Sequence, residues 1–169
     1  MKLAFYKAFC LHGTWKEIMF DVLIGIFSLG RYSHVELVFS DGISFSSSLR
    51  DGGVRFAAID YDNERWDVVD LPRFYNDIRV EELLRDDALS IVGLGYDKLG
   101  AITSIMPFCF QRRRRLFCSE MIINMFHARN VFALLTGERL ENGSIYSEMG
   151  DGCEYSPSEF NKSIREIVG

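Results

Sequence analysis

Apolar and polar positions follow a strand-like pattern in the first half of the chain and a helical one in the second. The opening MKLAFYKA carries a short apolar, β-prone run and predicts a strand. TWKEIMFDVLIGIFS then predicts a helix, with Thr14 at its N-cap and Gly30 as its stop. In SHVELVFSDGISFSS, two β-prone runs flank Ser40-Asp41-Gly42, the pattern of a β-hairpin with an Asp-Gly turn. GGVRFAAID and WDVVDLP predict two more strands, the second ended by Pro72. Beyond it the chain reads as helical. RVEELLRDDALSIVGLG has apolar residues at helical spacing and stops in glycines, and YDKLGAITSIM is a shorter helix closed by Pro107. CSEMIINMFHARN and NVFALLTG follow as helices, and YSPSEFNKSIREI is a Pro-initiated terminal helix with Ser156 or Ser158 near its N-cap. This order predicts an α+β fold, a small antiparallel sheet or barrel packed against helices, rather than an alternating parallel one.

Composition narrows the class. The chain has 169 residues, 48% of them hydrophobic and 14% aromatic, which suits a packed core and argues against disorder. With no repeat, low-complexity tract or linker, residues 1–169 are expected to form one domain. A net charge of −5 argues against a general nucleic-acid binder, so no nucleic-acid partner is expected. The N-terminal residues lack the apolar core and cleavage site of a signal peptide. The longest apolar stretch, IMFDVLIGIFSLG, contains Asp21 and falls short of the roughly 20 residues a membrane span needs. A cytoplasmic protein without a transmembrane segment is therefore expected. Its four cysteines, Cys10, Cys109, Cys118 and Cys153, form no Cys-x-x-Cys pair and are read as reduced thiols.

Candidate chemistry centres on Cys118 and His34. Cys118 lies at the predicted start of a helix, where the dipole and free N–H groups favour a thiolate and an adjacent oxyanion. His34 opens the SHVELVF strand, and Glu36, two residues on, shares its face. Ser44, Ser46 and Ser48 share one face of the partner strand and are alternative neighbours for the imidazole. On residues alone, a nucleophile–base pair competes with a plainer reading: a small buried cysteine and a satisfied strand histidine.

Three phrases in order, YSHVELVFSDG, GYDKLG and FCSEMI, resemble the circularly permuted papain-like hydrolases of the YaeF/YiiX type, a branch of the NlpC-type superfamily. RDGGVRFAAID is similar to phage-encoded members, which would place the protein in a host cytoplasm. The likeness runs from about residue 1 to residue 160. In the permuted branch the histidine strand precedes the cysteine helix, as His34 precedes Cys118 here. The resemblance implies a permuted papain-like fold, Cys118 as nucleophile and His34 as general base. The third position is polar in the family; Glu36 is favoured because it brings a charge, with Ser46 as the alternative. The matching motif around Tyr96 lies near the cleft in the family, which makes Tyr96 a candidate substrate contact. The implied activity is that of a cysteine peptidase or amidase acting on a peptide-like amide or an ester, with no cofactor. A catalytically silent binding module on the same fold and a lipid-directed acyltransferase are the alternatives.

Other features carry less. Cys10 and His12 lack the paired spacing of zinc ligands, and no metal is expected. His127 near a helix end suits a capping or surface role. Arg112 to Arg115 are read first as a solvated loop, then as a site for an anionic group, then as a source of positive potential near Cys118.

Overall fold

The computed structural model describes residues 1–8, 15, 18–19, 31–96, 115–116, 118–128 and 157–168. Seven strands form one sheet: β1 (Lys2–Lys7), β2 (Tyr32–Val38), β3 (Ile43–Ser48), β4 (Gly53–Ala58), β5 (Trp66–Asp70), β6 (Gly95–Tyr96) and β7 (Arg115–Leu116). Their order is β5-β1-β2-β3-β4-β6-β7. Pairing is antiparallel from β5 to β6, and β7 runs parallel to β6. The described residues also form a 3₁₀ turn (Arg73–Asn76) and α1 (Ile78–Ile91), which lie between β5 and β6, and α2 (Cys118–Ala128) and α3 (Pro157–Val168), which come after β7. The architecture is α+β, as the pattern predicts. The expected helices over YDKLGAITSIM and NVFALLTG lie outside the described residues, as does most of TWKEIMFDVLIGIFS. Among the described residues, no helix is long and apolar enough to cross a membrane.

The first hairpin closes as its sequence requires. Gly42 N–H donates to Phe39 O at 3.0 Å, Gly42 takes φ 83°, and the Asp41 side chain accepts from Ile43 N–H at 3.0 Å. A left-handed residue there brings the returning strand back at the sheet's own twist. Register then sorts the side chains. Leu3 and Phe5 stand opposite Leu37 and Val35 and join Phe45 in the core. Helix α2 buries Met121, Ile122, Ile123, Met125 and Phe126, so a broad apolar face packs into the core. Helix α3 is amphipathic: Phe160 and Ile164 are buried, while Lys162, Arg165 and Glu166 face outward.

Local chemistry sets the ends. Asp77 caps α1 by accepting from Arg79 N–H at 2.9 Å. Gly93 takes φ 86° just past the end of α1, and its N–H donates to Val54 O at 2.9 Å, which swings the chain onto the β4 edge. Of the two N-cap candidates of α3, Ser156 lies outside the described residues and Ser158 lies within the first turn. Its hydroxyl accepts from Tyr32 N–H at 2.9 Å and donates to Tyr32 O at 3.2 Å, so it fastens α3 to the start of β2. Arg115 also departs from expectation: it lies in β7 rather than in a loop, while Arg112 to Arg114 fall outside the described residues.

Gly53 is fixed by close approach. A Cβ there would stand 2.0 Å from the Leu94 carbonyl oxygen, a main-chain atom that cannot rotate aside. Gly52, by contrast, has open space around it and only a left-handed φ of 81°. Gly53→Ala should therefore lower unfolding free energy by about 1–3 kcal/mol. Gly52→Ala should cost about 1 kcal/mol, the strain of a left-handed alanine. Urea unfolding of the two variants checks the order.

Candidate active site

Three adjacent strands place a row of rings on the face of the sheet opposite the Leu3–Phe5 core. Tyr6 on β1 pairs with His34 on β2 and with Trp66 on β5. Trp66 meets Tyr6 edge-on at 5.0 Å and His34 at 6.4 Å between ring centroids. Strand alternation then puts Glu36 beside His34. The imidazole Nε2 lies 2.8 Å from Glu36 Oε1, the pairing expected from their shared face. Ser46, the alternative orienter, donates its hydroxyl to Val35 O at 2.6 Å and is spent on the backbone.

Glu36 is held from its other side by a residue that the strand pattern did not single out. Arg55 on β4 donates from Nη1 to Oε2 at 2.7 Å and from Nη2 to Oε1 at 2.6 Å, a two-pronged grip. Its Nε donates to Asp51 Oδ2 at 2.8 Å, which fixes the guanidinium plane. The Glu36 side chain is 1% exposed and that of Arg55 17%. Burial pushes the Glu36 carboxyl upward, but the hydrogen bonds and charges of Arg55 and His34 outweigh it and hold Glu36 below the usual carboxylate range. The signal available in sequence was one arginine inside GGVRFAAID, a charge in the middle of an otherwise apolar strand.

Cys118 begins α2, at the helix N-terminus that the sequence predicts. It is a free thiol, 2% exposed, and it neighbours His34. Burial pulls the imidazole's proton affinity down. The charge and hydrogen bond of Cys118, followed by those of Glu36, raise it to about 10. Since Nε2 faces Glu36, Nδ1 is the ring nitrogen left for the thiol. The site therefore brings Cys118, His34 and Glu36 into one chain of contacts.

A cleft of about 510 Å³ opens on this face, walled by Tyr6, His34, Glu36, Arg55, Trp66 and Tyr96 among others. Tyr96, on β6, is 7% exposed and lines this cleft. Cys118 is not part of that wall among the described residues. Cys10, His12, Cys109 and Cys153 lie outside the described residues, as does the side chain of His127. Comparison of the chain with protein-family models, curated proteins and solved structures yields no match.

The depressed Glu36 value fixes a sign. Its contribution to stability is present above the ordinary carboxyl value of 4.5 and is lost as pH falls through the lower folded value. Arg55→Met leaves this charge buried with His34 alone. It should cost about 3–5 kcal/mol at neutral pH, the usual penalty for breaking a buried pair. The difference from the unaltered chain should narrow as acid neutralises Glu36. Urea unfolding of both chains across pH 3 to 8 (roughly the span that brackets carboxyl titration) measures it.

Proposed function

We propose that the protein is a cysteine hydrolase of the permuted papain-like type that cleaves a peptide-like amide or an ester through a thioester on Cys118. The observation that carries the reading is the imidazole of His34, held by Glu36 at 2.8 Å and neighboured by the thiol of Cys118 at a helix start. A carboxylate on one ring nitrogen and a thiol at the other is the arrangement that activates a sulfur nucleophile. The chain order, histidine strand before cysteine helix, and the antiparallel sheet packed against helices support the permuted fold.

His34 takes the thiol proton and keeps it as an imidazolium, because Cys118 and Glu36 both favour the charged ring. The thiolate attacks the carbonyl carbon of the substrate, and its electron pair forms the S–C bond while the carbonyl π pair moves to oxygen. The helix N-terminal N–H groups at Cys118 face the oxyanion. Collapse of this intermediate breaks the bond to the leaving group, which departs with the proton from His34. Water then attacks the thioester with His34 as base, releasing the acid and the thiol. Peptide-like and acyl substrates both fit this sequence of steps.

The 2% exposure of Cys118 favours a second reading, a binding module on the same fold with a silent thiol. Alkylation separates the two. Iodoacetamide at neutral pH should modify Cys118 first among the four thiols, and His34→Ala should slow that modification by about 100-fold. Peptide mapping of partially alkylated protein gives the order. Labelling of Cys118 no faster than Cys10, Cys109 or Cys153 would reject the hydrolase.

A further inference from the structure

We propose that Tyr6 is a further catalytic residue, its phenol hydroxyl donating a hydrogen bond to the carbonyl oxygen of the substrate as that oxygen becomes negative. The inference rests on the hydrolase reading and adds to it a group on the strand next to the histidine. Tyr6 is 5% exposed, yet among the described residues its hydroxyl has no hydrogen-bond partner. A buried, unmatched O–H is disfavoured in a folded protein, and where one persists it calls for a reason. Here the reason is position. Tyr6 stands directly opposite His34 in the β1–β2 register, and both residues wall the same cleft.

The ring is also locked in place. Trp66 packs edge-on against it at 5.0 Å, and the Arg50 guanidinium sits 5.5 Å above its centroid. The β1–β2 register shifts between Tyr6 and Lys7, an irregularity of the kind found where a strand re-aims a side chain. A phenol offers one proton and brings no charge. It therefore suits an acceptor that gains charge during the reaction better than one already charged in the ground state. The acceptor that forms next to His34 in the proposed reaction is the oxyanion of the tetrahedral intermediate.

The test uses p-nitrophenyl acetate, whose attack by Cys118 passes through such an oxyanion. The sulfur bonds to the acyl carbon, the C–O bond to p-nitrophenolate breaks, and the acetyl group stays on sulfur. Iodoacetamide serves as the control, because displacement of iodide at its CH₂ carbon forms no oxyanion. In Tyr6→Phe, acetylation of Cys118 followed by intact mass should slow by at least about tenfold. Alkylation by iodoacetamide should keep its rate, and the urea midpoint should not fall, because the hydroxyl has no partner among the described residues to lose. Equal acetylation rates for the variant and the unaltered chain would remove Tyr6 from the reaction while leaving the hydrolase intact. A lowered urea midpoint would mean that the hydroxyl is bonded within the fold, which also overturns the assignment. Failure of the unaltered Cys118 to take up the acetyl group would reject the hydrolase and this inference together.

Discussion

Glu36 carries a full charge with almost none of its side chain in water, and its surroundings are arranged around that fact. A buried carboxylate is tolerable only when cations and N–H donors meet both oxygens. Arg55 supplies two donors from β4, His34 supplies one from the same strand, and Asp51 keeps Arg55 from turning away. The demand is mutual. Arg55 in turn needs β4 beside β3, which needs the Asp41–Gly42 turn to set the register. The imidazole is oriented as a by-product of satisfying this charge. Orientation and stability are therefore coupled at one carboxylate, and changes on β4 reach the histidine without touching it.

The sheet serves two purposes through strand parity. Odd positions of β1 and β2, Leu3, Phe5, Val35 and Leu37, make the core, while even positions, Tyr6, His34 and Glu36, make the cleft. A one-residue slip between β1 and β2 would exchange the two sets and place a carboxylate among phenylalanines. The alternation that excludes such a slip is also what presents three rings in one row. Packing strength on one face thus sets positional accuracy on the other.

Much of this is legible in the amino-acid sequence. The hairpin, the strand ended by Pro72, the helix beginning at Cys118 and the His34–Glu36 face all follow from local periodicity and turn chemistry, which act within a few residues. What escaped notice acts across the chain. β6 and β7 are two residues each, too short to show any period, and exist because Gly95 and Tyr96 find partners on β4 and β7. Arg55 is a charge in an apolar strand whose meaning depends on a carboxylate two strands away. Ser158 is a residue type that caps helices, but its hydroxyl bonds the Tyr32 backbone. Nothing in either stretch announces the other, so long-range pairing of single polar atoms stayed out of reach.

The Ser158 contact bears on the order in which the molecule is completed. Tyr32, two residues before the imidazole, has its N–H and carbonyl matched by a hydroxyl that lies 126 positions later. A ribosome releases the thiol-bearing helix well before it releases that hydroxyl. During synthesis there is thus an interval in which the sulfur is present and the strand opposite it is still missing its last clasp. A chain shortened before this serine would keep every residue of the proposed chemistry and lose the fastening at the head of the strand that aims it.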